Sequence, residues 1–308
     1  MMGFRIAAGV LGLAILLISV LSIGSFWFLS SPEQLPDEAI DVSPNLSEYE
    51  AAHPKGSHPL DPVLEMAKRS FALHRSRDRD YTALMVKRFR LGKRLGEQEF
   101  MRLKLRSRDS DPPAEQEFQP RPIDVYLGFL EPRSLAGREV IWREGQHDNQ
   151  MIVHEAGLLN FTRLHLAPTS RLAMLGNRYP IYDIGIERLL VKFIERGMLD
   201  RSLGPCEVFT RDDFLFEGRR CQRIEILHPQ KEVEIDGEKH QFDFYRVEID
   251  VDLEYGLPIH YASYLWPDAE GGEPVLDEEF TYRELQLNCN LDDQDFDPDN
   301  PDYRYPSR

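Results

Sequence analysis

Glu97-Gln98-Glu99-Phe100-Met101-Arg102-Leu103-Lys104-Leu105-Arg106 reads as a β-strand on its own. Met101, Leu103 and Leu105 alternate with Arg102, Lys104 and Arg106, and successive side chains on a strand point to opposite faces. One face is therefore apolar and buried, the other basic and wet. Just upstream, Tyr81 to Arg90 is a second strand-like run, and Leu91-Gly92-Lys93-Arg94-Leu95-Gly96 between the two carries a pair of glycines, a turn signal.

The same signature recurs at Ile123–Leu130, Arg138–Arg143, Met151–Glu155 and Leu159–Leu166. It returns at Cys206–Phe209, Cys221–Leu227, Phe242–Val251, Ile259–Trp266 and Glu278–Leu285. Glu217-Gly218 and Asp236-Gly237 are turn punctuation. Two helices interrupt the series. Asp61 caps the first, which runs to about Ser76 with Pro62 in its first turn. Asp183 caps the second, where Ile186, Leu189, Leu190, Phe193, Ile194 and Met198 recur at helical spacing. The reading is α+β: a large antiparallel sheet in consecutive hairpins, with helices over one face.

From Ile6 to Leu29 no residue is charged. A helix of that length, at 1.5 Å per residue, spans a hydrocarbon core of roughly 30 Å. Arg5 before it and Glu33, Asp37, Glu38 and Asp41 after it leave the N-terminus cytoplasmic and export the rest. Ser22 and Gly24 before Ser25 also fit a signal-peptidase site, so a cleaved leader is the alternative. The run exceeds the ~7–15 residues of a signal core and continues through Phe26, Trp27 and Phe28, which favours a retained anchor in the cytoplasmic membrane with a periplasmic body. Prolines recur from Pro32 to Pro62 without helical or strand period, the pattern of a tether. The expected organisation is anchor or signal (1–30), acidic Pro-rich tether (31–62), β-rich domain (63–290) and acidic tail (291–308).

A net charge of −16 argues against nucleic acid and against docking on anionic lipid. Three cysteines, Cys206, Cys221 and Cys289, are too few for a disulfide scaffold; one bridge or three thiols both remain open. No cofactor motif is present. Catalysis has only scattered ingredients: there is no Gly-x-Ser-x-Gly elbow, no Ser-x-x-Lys and no phosphate-binding glycine loop. His147, His154, His165, His228 and His260 share no spacing with a partner nucleophile, and seven strand residues put Cys221 over ~20 Å from His228. Asp293, Asp295, Asp297 and Asp299 suggest a calcium loop, but Pro298 stands where the loop needs glycine and Arg304 where it needs glutamate. The tail is expected to be solvated, with Phe296 and Tyr303 pinning it to the sheet.

The body resembles domain-of-unknown-function family 1571, known chiefly from planctomycete-type bacteria. The resemblance lies in Asp80-Tyr81-Thr82-Ala83, Val86-Lys87-Arg88, Val125-Tyr126-Leu127, Phe129-Leu130 and Gly137-Arg138-Glu139-Val140. It continues in Asn177-Arg178-Tyr179-Pro180-Ile181, His228-Pro229, Trp266-Pro267, Phe280-Thr281-Tyr282 and Asp295-Phe296, spanning nearly the whole body. The strand-rich pattern is in turn similar to the outer-membrane lipoprotein carriers and related lipid-binding sensor domains. That resemblance implies an unclosed half-barrel, helices plugging its mouth, an apolar cavity and a lipid or lipoprotein acyl chain as ligand, with no catalytic residues.

A curved sheet has more inner apolar face than two helices can cover. Met85, Phe89, Met101, Leu103, Leu105, Val125, Leu127, Phe129, Val140 and Trp142 are the expected cavity lining, with Ile186, Leu189, Phe193 and Ile194 as lid. Burying an acyl chain there would contribute about 0.8 kcal/mol per methylene. The rival reading is an envelope adaptor that holds a partner protein, with Arg138, Arg143, Arg178 and Arg188 as contacts.

Overall fold

The computed structural model describes residues 58–109, 118–157, 162–235, 237–269 and 271–306. The expected anchor and almost all of the tether lie outside these residues, and no helix within them is long and apolar enough to cross a membrane.

Helix α1 (Asp61–Arg77) precedes strands β1 (Asp80–Leu91), β2 (Arg94–Leu95), β3 (Glu99–Ser107), β4 (Ile123–Glu131), β5 (Glu139–Arg143), β6 (Met151–His154) and β7 (Arg163–Leu166). A short α2 (Arg171–Met174) and the long α3 (Ile186–Leu203) come next. Then follow β8 (Glu207–Phe216), β9 (Arg219–Leu227), the small hairpin β10 (Glu232–Ile235) and β11 (Glu238–Gln241), β12 (Arg246–Asp252), β13 (Pro258–Leu265) and β14 (Val275–Leu287). Apart from that hairpin, the strands form one twelve-stranded antiparallel sheet ordered β7-β6-β5-β4-β3-β1-β14-β13-β12-β9-β8, with β2 paired to β1. No pairing among the described residues joins β7 to β8, so the sheet is unclosed.

The run of consecutive hairpins is broken at one place. β1 pairs with β14, the first strand with the last, in the middle of the sheet. Each half is a meander, and the chain passes from one outer edge, β7, to the other, β8, through α2 and α3. That crossing segment spans the sheet, and α3 buries Ile186, Leu190 and Ile194 against the apolar face. Its start is built differently from the expected Asp183 cap. Gly185 adopts φ +113°, and a Cβ there would come within 2.8 Å of Leu105. The Ile186 amide donates to the Tyr81 hydroxyl at 3.0 Å, while Asp183 pairs with Lys192 at 2.7 Å. Asp61 likewise sits inside α1 rather than capping it: its carboxylate takes the His58 amide and pairs with Arg201 of α3. A Cβ on Gly197 would meet Leu64 at 2.8 Å, so its absence lets α1 and α3 approach closely.

The acidic tail is part of the domain rather than a solvated appendage. Asp293 pairs with Arg106 and Arg143 at 2.6 and 2.8 Å, Asp295 with Lys104 at 2.6 Å, and Asp299 with Arg163. Tyr303 stacks on Tyr126 with 4.1 Å between rings, and Phe296 and Tyr305 bury themselves against Tyr126, Ile141 and Ile152. On the basic face of β3 the strap thus covers Lys104 and Arg106, while Arg102 stays exposed. Among the described residues no cluster of His, Cys, Asp and Glu could hold a metal. All three cysteines are free thiols, and burial pushes Cys206 up to about 12 and Cys221 up to about 11.

Candidate functional site

The sheet's period of two and its register arrange the concave side chains in rows across the strands. The first row is Tyr81, Leu105, Val125 and Trp142. The second is Ala83, Leu103, Leu127, Val140, Val153 and Leu164. The third joins Tyr282, Met85, Met101 and Phe129. Beyond it lie Tyr261, Phe280 and Lys87, then Ile226, Val247, Ser263, Glu278 and Phe89.

The N-terminus of α3 fills the first-row end. Leu105 packs at Gly185, and Trp142 lies near the Tyr182 ring. Beyond that plug the sheet and helix diverge around a cavity of about 770 Å³. Of the ten residues expected to line it, Met85, Phe89, Met101, Leu127, Phe129 and Val140 do so. Leu103, Leu105, Val125 and Trp142 instead belong to the close-packed core, at 3% exposure or less, and do not reach the cavity. They share the correct face: Leu105, Val125 and Trp142 form the row under the helix start, while Leu103 lies in the next row, whose outer members Leu127 and Val140 do reach the cavity. The lid divides in the same way. Leu189 and Phe193 face the cavity, while Ile186 and Ile194, both fully buried, hold α3 to the core.

The cavity touches successive turns of α3 at Gly185, Leu189, Phe193, Gly197 and Asp200. That is a length of about 22 Å at 1.5 Å per residue. One rim is the segment around α2, where Leu172 is 57% and Leu175 76% exposed.

Polar groups gather at two places on its wall. On the β1–β14 side, Lys87 pairs with Glu99 at 3.3 Å and donates to Asn177 at 2.9 Å; burial draws its ammonium below the usual value. Arg178 pairs with Asp277 at 2.7 Å and reaches Glu278 at 3.3 Å, and the Tyr179 hydroxyl donates to Glu278 at 2.8 Å. Burial raises the Glu278 carboxyl above its ordinary range, against the lowering by Arg178 and the Tyr179 bond. At the far end of α3, Arg196 pairs with Asp200 at 2.9 Å and with Asp243, and Asp200 stands 3.7 Å from the buried His228 ring. Burial lifts Asp200 to about 7 and lowers His228 to about 4.

The residues missed by sequence reasoning carried a readable signal. Lys87 is in phase with Met85 and Phe89, and Glu278 with Phe280 and Tyr282. Charged residues on an inward phase mark a wall that is not simply core. The four arginines considered as partner contacts are all committed within the chain: Arg138 to Glu155, Arg143 to Asp124 and Asp293, Arg178 as above, and Arg188 to Glu144. Of the histidines, His154 faces Glu139 at 3.4 Å and His260 the Thr281 hydroxyl at 2.9 Å, both buried in the sheet.

A family model described as "Protein of unknown function (DUF1571)" matches residues 78–305. The chain belongs to that family. The match runs through most of the C-terminal strap. No curated protein matches the chain. Among solved structures, a DUF1329 family protein from Desulfovibrio piger is 13% identical, covering 78% of this chain and 98% of that one, with a TM-score of 0.35. A putative outer membrane lipoprotein-sorting protein domain from Vibrio parahaemolyticus is 14% identical, with 76% and 95% covered and a TM-score of 0.33. The lipoprotein LppX from Mycobacterium tuberculosis is 10% identical, with 75% and 100% covered and a TM-score of 0.36.

Proposed function

We propose that this protein binds an apolar chain, the acyl chain of a lipid or lipoprotein, in the concave cavity, without catalysing a reaction on it. We place the domain on the periplasmic side of the cytoplasmic membrane, held there by an uncleaved helix at residues 6–29. The cavity carries the reading. Its volume of about 770 Å³ falls within the ~300–1,000 Å³ of small-molecule sites. Its floor is built from Met85, Met101, Leu127, Phe129, Val140 and Val153, and methionine with aromatics suits an adaptable apolar ligand. A bilayer core of roughly 30 Å is two chains deep, so a single chain of about 15 Å fits within a cavity of about 22 Å.

The test is native mass spectrometry of the domain purified from its exported compartment, followed by extraction of bound lipid. A stoichiometric acyl species is expected. The double variant Leu127→Phe and Val140→Phe should fill the floor, weaken binding of a fluorescent acyl probe by at least about tenfold, and leave the thermal midpoint near its starting value. A wild-type domain that neither carries an acyl species nor binds the probe sinks the proposal.

A further inference from the structure

The apolar floor accounts for a chain, but not for the wall at Glu278. This residue stands on the cavity face of β14 at 8% exposure, two residues from Phe280 and four from Tyr282. The Tyr179 and Tyr261 rings lie 6.3 and 6.4 Å from the Phe280 ring. The wall therefore combines a carboxylate with several aromatic rings. Protein cations already exploit these surfaces: Arg178 lies 5.7 Å and Lys192 4.7 Å from the Tyr179 ring centre. Two carboxylates, Asp277 and Glu278, share the single guanidinium of Arg178, which sits closer to Asp277. The other partners of Glu278, the Tyr179 and Tyr261 side chains, are uncharged.

The cavity's cations are committed in the opposite sense. Lys87 has Glu99, Arg138 has Glu155, Lys192 has Asp183 and Arg196 has Asp200. An anionic head would have to break one of these pairs and leave a carboxylate unpaired in a poorly solvated place. A cationic head meets Glu278 and the aromatic faces, the combination that receives ammonium groups elsewhere in protein chemistry.

Building on the acyl-chain reading above, we infer that this corner binds the ammonium head of an amphiphile whose chain lies along α3. The raised Glu278 carboxyl agrees with a desolvated charge that an incoming cation would relieve. An amine-headed phospholipid and a diacylated lipopeptide with a free α-amine both present this chemistry.

The experiment measures binding of lysophospholipids of one chain length to the purified domain by calorimetry. Ethanolamine- and choline-headed forms should bind about tenfold more tightly than the glycerol-headed form. In Glu278→Gln, which keeps the side chain's shape, that ratio should fall to within about twofold. Tyr179→Leu, at a partly exposed ring, provides a second variant if Glu278→Gln does not fold, and should also reduce the ratio. A free-amine lipopeptide compared with its N-acylated form identifies which source of ammonium is preferred; discrimination in either arm supports the inference. Equal and tight binding of all heads overturns it while leaving the acyl-chain reading intact. Binding of none overturns both.

Discussion

The two faces of the sheet are covered by opposite means. On the convex side, the strap neutralises charge with charge. Asp293 is held below the usual carboxylate range by its bond to Arg106 and by Arg143, and the fully buried Asp124 is surrounded by Arg106, Arg108 and Arg143. On the concave side, burial pushes carboxyls upward at Glu278 and Asp200, because nearby cations compensate them less completely than the lost water did; away from the strap the same happens at Glu248, on the convex phase of β12. A face that only had to be stable could have been closed like the convex one. The concave face instead retains a void of about 770 Å³, with Glu278 and Asp200 on its wall.

The largest effect is expected from a charge placed where the concave face is closed. Leu103→Arg puts a guanidinium between Ala83 and Leu127 with no carboxylate in that row. It should remove stability on the order of 5 kcal/mol and abolish cooperative unfolding as followed by circular dichroism. A folded Leu103→Arg domain that has merely lost probe binding would return Leu103 to the cavity wall and redraw the boundary between plug and void.

That boundary was only partly legible in the sequence. Alternation at 101–106 and helical spacing at 186–198 are local, and both identified the correct face and the correct covering helix. Which residues line a cavity depends on how far α3 reaches along the strands. That depends on Gly185 fitting against Leu105 and on β1 meeting β14, contacts between distant segments that no local period encodes. The same limit applies to the strap. Its alternating aspartates read as a solvated tail, whereas Asp293, Asp295 and Asp299 pair with outward cations of β3, β5 and β7 from distant parts of the chain.

On the convex side, Asp124→Ala should cost about 3 kcal/mol in urea titration, since three arginines lose a buried partner while remaining partly hydrated. Asp293→Asn removes an exposed partner of two of the same arginines and should cost under about 1 kcal/mol. Both variants should retain acyl-probe affinity. A large loss of binding in either would mean that the two faces are coupled, and the strap would then belong to the site.

In the wild type the smallest effect concerns Asp200 and His228 at the far end of the cavity, because their contributions have opposite signs and nearly cancel. Between its ordinary value and about 7, folded Asp200 holds a proton that the unfolded chain has released, so its contribution to stability falls as pH rises from about 4 to 7. Between about 4 and its ordinary value, folded His228 lacks a proton that the unfolded chain binds, so its contribution rises with pH over much of the same window. Both shifts originate chiefly in burial, and neither has the other residue among its causes, so each should survive removal of its neighbour. Urea titrations between pH 4 and 6.5 should therefore give a nearly level profile for the wild type. Asp200→Asn should gain on the order of 2 kcal/mol with rising pH over that range, and His228→Gln should lose a similar amount. Level profiles in both variants would mean that water reaches this end of the cavity and hydrates both groups. The concave face would then differ from the convex one in shape rather than in hydration.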